Sequence, residues 1–139
     1  MTDEKEVFEL IKIGKFENIP SECWKDRDVV LKAIEVSADG LKFADEKFHF
    51  DREIVLKAVK HHGASLGYVL NKDFLNDQEI ALEAVKSFDY GVLNYVSEKL
   101  LSNKEFVIKI IKENGGAIEY VSDSLKNDPD ILAIVNKDK

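Results

Sequence analysis

The sequence contains few of the residues that cross-linked or loop-rich proteins use. Its 139 residues include one cysteine, two prolines and seven glycines. With Cys23 as its single cysteine, the chain cannot form an internal disulfide, which fits a reducing compartment. The scarcity of proline and glycine argues against a low-complexity chain. No apolar run approaches the roughly 20 residues that a membrane-spanning helix requires, so no span is expected.

The opening residues and the net charge limit the classes of partner. The first stretch, MTDEKEVFEL, is acidic and lacks the apolar core of a signal peptide. We therefore expect a cytoplasmic protein, with secretion by a route that needs no cleaved signal left open. The formal net charge is −7. Such a surface repels nucleic acids and anionic membranes, so we expect neither as a partner, and it favours a basic protein.

Signatures of enzymes and metal sites are missing as well. The chain contains no G-x-x-x-x-G-K-[ST], G-x-G-x-x-G, G-x-S-x-G, H-E-x-x-H or C-x-x-C pattern. His61 and His62 are adjacent, so on a helix their side chains diverge and form no chelating pair. We predict a protein that is not an enzyme and holds no cofactor or metal. His49 and its two counterparts are expected at the surface, and Cys23 is expected in the core.

The sequence does contain one helical pattern that occurs several times. Each copy opens with an acidic or amide residue, and consecutive openers are 25 or 26 residues apart. The openers are Asp26, Asp51, Asp77, Asn103 and Asp128. In the first four copies, apolar residues follow at the third, fifth, seventh and eighth positions. This period is typical of stacked repeats, in which each unit buries its apolar surface against its neighbours.

The openers are predicted to be N-caps of helices about three turns long. Asp and Asn are preferred there because their side-chain oxygens accept backbone N–H groups that have no partner within the helix. Pro129 supports this register, because proline is favoured at the first helical position and Pro129 follows Asp128. Gly63 and Gly115 stand where a left-handed residue would end the helix.

A like-charged pair in the third copy predicts a contact between repeats. Glu79 and Glu83 are four residues apart on one helix, which is mildly unfavourable. Lys57 and Lys109 occupy the position of Glu83 in the flanking copies, so we predict that Glu83 pairs with them. The substitution Glu83→Lys would then lower the free energy of unfolding, as denaturant titration would measure.

The second half of each copy also recurs. The stretches GLKFADEKF, SLGYVLNKDF, VLNYVSEKL and AIEYVSDSL share an aromatic residue between apolar ones. These aromatic residues are Phe43, Tyr68, Tyr95 and Tyr120. The pattern predicts a short second helix and a tight return, too short to be stable without packing. The second copy has one extra residue near 70–73, and the third has one near 88–91.

The stretches IPSECWKDRDVVLKAIE, DREIVLKAVKHHGASLGYV and YVSDSLKNDPDI resemble the tandem repeats catalogued as domain of unknown function 4116. The resemblance runs from about Ile19 to Val135. Two features depart from the family pattern: SFDYGVL lacks its early glycine, and Ile110 replaces its usual alanine. The resemblance implies a helical repeat fold, and it implies no settled activity or catalytic residues.

We therefore predict a single all-α domain over residues 1–139, a short right-handed α-solenoid of about four helix–turn–helix repeats. Residues 1–25 form a degenerate N-terminal cap, 26–127 the four repeats, and 128–139 a C-terminal capping helix. The predicted function is a non-catalytic protein–protein interaction module. The alternative is an acidic inhibitor, such as an immunity protein, antitoxin or phage-borne antagonist, of a basic enzyme such as a nuclease. Self-association through the end repeats stays open.

Two groups of residues are candidates for binding that partner. Aromatic residues without consistent counterparts in the repeats form the first group, since Trp and Tyr are enriched at binding hot spots. They are Trp24, Phe50, Phe88 and Tyr90. Packing within loops and ends is the alternative interpretation for them. Acids near the helix starts form the second group: Glu53, Glu79 and Glu83. For these, favourable interaction with the helix dipole is the alternative to attracting a basic partner.

Overall fold

A computed structural model of the chain describes residues 3–87 and 90–137, and within them the fold is all-α, with no strand. The α-helices are α1 (Glu4–Lys12), α2 (Arg27–Val36), α3 (Asp39–Phe43), α4 (Arg52–His61), α5 (Gln78–Ser87), α6 (Glu98–Leu101), α7 (Lys104–Glu113), α8 (Asp123–Lys126) and α9 (Pro129–Lys137). The 3₁₀ helices are Phe16–Asn18, Ser21–Lys25, Glu46–Phe50, Gly63–Tyr68, Lys72–Asn76, Tyr90–Tyr95 and Gly115–Tyr120. None of the helices in these ranges combines the length and apolar character needed to cross a bilayer.

The predicted N-caps are confirmed at all five openers. At Asp51, Asp77 and Asn103 the side-chain oxygen accepts the N–H three residues on, at 3.2, 3.1 and 3.0 Å. Asp26 and Asp128 each accept two N–H groups, the nearer at 2.8 and 2.9 Å. Each capped helix starts at the next residue, so the local sequence sets where the long helices begin.

The ends of the long helices differ from the prediction. α4 and α7 end in extended residues, His62 with φ −144° and Asn114 with φ −156°. Gly63 and Gly115 come next and open 3₁₀ helices, and neither has positive φ. The predicted left-handed ends were therefore wrong. The extended residue already redirects the chain, so the glycine that follows needs no left-handed conformation.

Each unit contains a third helix where the sequence predicted a tight return. Within the described ranges, each ten-residue α-helix is followed by a helix of five or six residues and then by one of four or five. Side chains cap several of these last helices: Asp45, Asn71 and Ser97 accept the N–H groups of Lys47, Asp73 and Leu100. Local capping therefore makes the return helical.

The buried face of the long helices follows the predicted register. The third, fourth, seventh and eighth residues after each cap are buried in all four ten-residue α-helices. They are Val29, Val30, Ala33 and Ile34 in α2; Ile54, Val55, Ala58 and Val59 in α4; Ile80, Ala81, Ala84 and Val85 in α5; and Phe106, Val107, Ile110 and Ile111 in α7. The fifth residue is half-buried in each. Most of the helix girth is therefore covered by other parts of the chain.

Consecutive long helices pack against one another. α1 contacts α2, α2 contacts α4, α4 contacts α5, α5 contacts α7, and α7 contacts α9. One core cluster of buried residues extends from Val7 to Ile131. These contacts place the units in sequence order. The right-handed solenoid geometry and the division at residues 25 and 127 stay predictions.

Gly40 lies where α3 approaches α2 most closely. A Cβ at this position would lie 2.5 Å from the carbonyl carbon of Ala33 and 2.6 Å from the amide nitrogen of Ile34. Because both obstacles are backbone atoms, no change of side-chain rotamer would relieve the contact. The glycine therefore allows this approach between the two helices.

We predict that Gly40→Ala lowers the free energy of unfolding by about 1–3 kcal/mol, the usual cost of overpacking. Urea unfolding followed by circular dichroism would measure the loss. Gly115→Ala is the matched control, because a Cβ there would meet nothing within 4 Å. Equal losses in the two variants would contradict the packing explanation.

Candidate interaction surface

Trp24 is buried, which corrects the prediction that it binds a partner. Its side chain is 4% exposed. The indole stacks on Phe43, with ring centroids 5.5 Å apart, and meets Phe16 edge-on at 5.5 Å. Phe16 precedes the first repeat and Phe43 lies within it. The three rings therefore anchor the N-terminal segment on the stack, in agreement with the packing interpretation.

Two other candidates fall on residues that the structure does not describe in full. Phe88 lies outside the described residues, and so does the side chain of Tyr90. Their predicted role in binding stays a prediction. The fourth aromatic candidate, Phe50, is 56% exposed.

Phe50 belongs to a small set of exposed apolar side chains. Among the described residues, the large apolar side chains in this set are Ile13, Val36, Phe50, Leu70 and Tyr95. Leu70 is 54% and Tyr95 49% exposed. The N–H of Leu70 lies 3.4 Å from Nδ1 of His49, the residue before Phe50. The Tyr95 ring covers Gly67, where a Cβ would lie 2.9 Å from Tyr95 Cζ.

We call Phe50, Leu70 and Tyr95 the mid-stack surface: the neighbour of Phe50 contacts Leu70, and Tyr95 contacts the second repeat at Gly67. Phe50 ends the first repeat, Leu70 lies in the second and Tyr95 in the third. The repeat pattern indicated an aromatic residue at position 95, but not that its ring would be half exposed. Exposure of the ring depends on which surfaces the neighbouring repeats leave uncovered. The sequence of one repeat does not contain that information.

Leu70 is the extra residue predicted near 70–73, and it changes the joint between the first and second repeats. At the other joints, a backbone N–H donates to a backbone carbonyl of the preceding unit. These pairs are Asp45 to Trp24 at 3.0 Å, Ser97 to Leu75 at 2.9 Å, and Ser122 to Leu101 at 3.1 Å. Leu70 stands between the buried Val69 and the capping residue Asn71. Its N–H therefore meets the His49 ring instead of a carbonyl.

His49 is buried, so the prediction of a surface histidine was wrong for this residue. It is 2% exposed, and this burial lowers its pKa below the ordinary 6.5 although backbone groups of Ala44 and Leu41 act in the opposite sense. The repeat register could have revealed its burial, because His49 stands two residues before a cap, as Trp24 does. His61 is exposed, and the half-buried His62 has its Nε2 3.0 Å from the carbonyl oxygen of Glu35.

The acids near the helix starts bind cations of the preceding unit. Arg27 lies 2.7 Å from Asp51 and 3.1 Å from Glu53. Arg52 lies 2.9 Å from Asp77 and 2.7 Å from Glu79. At the last joint, Lys104 lies 3.1 Å from Asp128 and 2.7 Å from Asp130. We call these contacts the cation ladder.

The cation ladder sets the protonation of the capping carboxylates. Burial raises the pKa of Asp77, but hydrogen bonds from the Arg52 guanidinium and the Ile80 amide outweigh it and hold that pKa below its usual range. The pKa of Asp51 is lowered in the same way, with Arg27 as the cation. Because the folded pKa values are lowered, the stability from these carboxylates is present above their ordinary 3.8 and lost as the pH falls below it.

The predicted acidic site residues therefore have partners within the chain. Glu53 binds Lys57 at 3.1 Å in addition to Arg27. Glu83 lies 3.8 Å from Lys86 on its own helix. The predicted pairing of Glu83 with lysines of the flanking repeats was wrong, since Lys57 binds Glu53 instead. The expected loss of stability in Glu83→Lys loses its basis.

The sequence contains a signal for the cation ladder, which is not found when residues are considered within one unit only. The residue after each cap is Arg27, Arg52, Gln78, Lys104 or Pro129. The cationic ones each precede a unit that opens with aspartate. Gln78 precedes the unit that opens with the neutral Asn103. A cation after the cap of one unit is therefore paired with an aspartate cap in the next unit. This relation is visible only when adjacent units are compared.

The joint between α1 and α2 has acids without such a cation. Glu4 takes the place of the arginine, and with Glu22 and Asp26 it lines a cleft of about 360 Å³. Cys23 also lines this cleft and is half-buried rather than fully buried as predicted. In the ranges that the structure describes, no group of three or more His, Cys, Asp or Glu side chains could hold a metal ion.

We predict that a missing rung of the ladder can be added between the third and fourth repeats. The double substitution Gln78→Arg with Asn103→Asp recreates the pair found one repeat earlier. A double-mutant cycle in urea should give a favourable coupling of about 0.2–1 kcal/mol, as for other exposed ion pairs. The coupling should shrink in roughly 1 M salt. A coupling of zero at low salt would contradict the repeat equivalence.

Comparison with known families gives one match. The family model described as Domain of unknown function (DUF4116) matches residues 51–101, 87–126 and 103–134. Searches of curated proteins and of solved structures each returned no match. The matched segments start at the cap of α4 and continue into α9. Together they span more than half of the sequence, so this chain belongs to the family of domain of unknown function 4116.

Proposed function

We propose that this protein is a non-catalytic interaction module that binds a protein partner through the mid-stack surface. The observation that carries the proposal is the exposure of three large apolar side chains, about half of each, on three successive repeats. Single exposed apolar residues are ordinary on protein surfaces. Three that lie at or beside the contacts between successive repeats are better explained by an occupant that covers them.

The packing of the repeats supports this proposal, because it fixes the backbone beside Phe50 and Leu70 and the ring of Tyr95. Tyr95 rests on Gly67, and Leu70 is joined to the segment that carries Phe50. Long helices on both sides of the second repeat share one buried core. A surface that is ordered before binding loses little conformational entropy when a partner docks. Burying each side chain then contributes about 25 cal/mol per Å² of apolar area removed from water.

The polar groups around Tyr68, two residues before Leu70, carry both signs of charge. Lys42 lies 5.9 Å from the centre of the Tyr68 ring, and the Tyr68 hydroxyl donates to Asp39 at 3.0 Å. Such surroundings suit a partner with an apolar anchor and a mixed polar rim. The net charge of −7 adds a preference for basic partners. Because the cation ladder already pairs many acids, this charge acts chiefly on the rate of association.

One observation favours the second candidate function, an acidic inhibitor of a basic enzyme. Glu4, Glu22 and Asp26 meet at the first joint, where α1 supplies no ladder cation. A basic loop of an enzyme would complement these carboxylates. On this alternative, binding depends on the first joint and not on the mid-stack surface.

We predict that Phe50→Ser and Leu70→Ser each weaken binding about tenfold or more, the effect of losing a hot-spot side chain. The ligand is the protein captured by the tagged wild-type chain from its native host, and titration calorimetry of the purified pair measures affinity. Thermal unfolding should change little in either variant, because both side chains are exposed.

Ile13→Ser is the matched control, since Ile13 is 64% exposed and lies outside the mid-stack surface. It should leave the affinity unchanged. Unchanged affinity in Phe50→Ser and Leu70→Ser would contradict the proposal. If Glu4→Gln with Glu22→Gln weakened binding instead, the inhibitor function would be the better account.

A further inference from the structure

The joint between the first and second repeats is held differently from the others, and it contains a titratable group. At the joints made by Ser97 and Ser122, the acceptor of the backbone N–H is a carbonyl oxygen. At this joint, the acceptor for the Leu70 N–H is Nδ1 of His49, at 3.4 Å. A carbonyl accepts hydrogen bonds at every pH. An imidazole nitrogen accepts only while it is unprotonated.

The surroundings of His49 favour the neutral ring. The side chain is 2% exposed, and loss of hydration lowers its pKa. Hydrogen bonds to backbone groups of Ala44 and Leu41, from α3 and the residue after it, and of Tyr68, from the 3₁₀ helix 63–68, raise the pKa, but burial outweighs them. The carboxylate of Glu46, on the same 3₁₀ helix as His49, also raises the pKa.

The other charged groups on these elements have partners of their own. Asp39 of α3 accepts the Tyr68 hydroxyl, and Lys42 lies over the Tyr68 ring. Asp51, at the start of α4, is bound by Arg27. A protonated His49 would therefore be compensated by the backbone groups of Ala44, Leu41 and Tyr68 and by Glu46, and burial of the charge outweighs them.

We propose that this joint is an acid-sensitive hinge, in which protonation of His49 replaces the N–H···N contact with Leu70 by two opposed N–H donors and so loosens the first repeat from the second. Both ring nitrogens of a protonated histidine are donors. The Leu70 N–H then loses its acceptor, and a charge is left in a buried site. Both effects favour an open joint in which the ring reaches water.

The direction of the pH effect follows from the lowered pKa. The folded-state pKa of His49 lies below the ordinary 6.5, so the unfolded or opened chain takes up the proton first. The joint is at full strength above about pH 6.5, and it weakens as the pH falls through the lower folded pKa. The ladder carboxylates lose their contribution to stability only below their ordinary pKa of 3.8, so the two effects occupy separate pH ranges.

A consequence for binding rests on the proposed function. Phe50 follows His49 directly, and Leu70 is the residue that His49 holds. Opening the joint would separate two of the three side chains of the mid-stack surface. Partner affinity would then fall in mild acid, where helices and core remain intact.

Hydrogen exchange of backbone amides by NMR, on the chain alone, tests the hinge without any partner. From about pH 7.5 to about pH 5, after correction for intrinsic exchange, protection of the Leu70 amide should fall about two- to tenfold, as for the loss of one hydrogen bond. The Ser97 and Ser122 amides should keep their protection. An equal change at all of these amides, or none at Leu70, would overturn the proposal.

Two variants and one control sharpen the test. In His49→Asn, the amide oxygen takes the place of Nδ1 and can accept from Leu70 at any pH, so the acid response should vanish. If that variant does not fold, deletion of Leu70 gives the second repeat the 25-residue length of the first, so that Asn71 can donate to the His49 carbonyl, and the response should again vanish. His61→Gln, at an exposed histidine, should retain it. An acid response that persists without the His49 contact would overturn the hinge.

The partner captured by the wild-type chain gives a separate measurement. Affinity should fall in acid for the wild type and stay constant for His49→Asn. If the exchange result holds but affinity does not respond, the hinge stands and the proposed binding surface fails.

Discussion

The rest of the fold depends on the need to bury long helices that are apolar on too many sides. Each ten-residue α-helix is too short to be stable alone, and four of its positions are no more than 6% exposed in every unit. One neighbour cannot cover so much of a helix. The short helices cover part of it, and the long helices of adjacent units cover the rest. The N-caps set the register of this burial, because they fix which residue becomes the first of each helix.

The contacts at the joints align the units more than they stabilise them. Exposed ion pairs contribute little free energy, and a backbone hydrogen bond contributes about 1 kcal/mol after its exchange with water is counted. The buried apolar positions supply most of the stability. The cation ladder and the backbone bonds at the joints have strict geometry, however, so they select one relative placement among those that the apolar faces allow. The buried apolar positions thus hold the units together, and the polar contacts at the joints set how the units are aligned.

Features that are local to one unit could be predicted from the sequence, and features that arise between units were harder to predict. The caps and the buried register followed from residue types at fixed spacing. Gly63 was misassigned because the extended residue before it, together with the packing of the next short helix, decides how the chain leaves α4. Trp24 and His49 were judged by residue type, although both lie two residues before a cap, a position at which Leu101 is also buried. Arg27 and Arg52 were overlooked because their partners lie in the following unit, and exposure of Leu70 depends on three units at once.

The direction of the cation ladder has a consequence for how such chains can be rearranged. Every cation reaches toward the unit that follows it, so a unit has a donor side and an acceptor side, and the stack has polarity. A unit that begins with Asp51 and Arg52 can follow a cationic unit and precede another that opens with aspartate. The unit that begins with Asp77 and Gln78 supplies no cation after its cap. It therefore fits only before a unit whose cap is neutral if no capping carboxylate is to lack a cation. The third and fourth units are therefore not interchangeable with the first two, and the two residues at each start limit the order in which the units can follow one another.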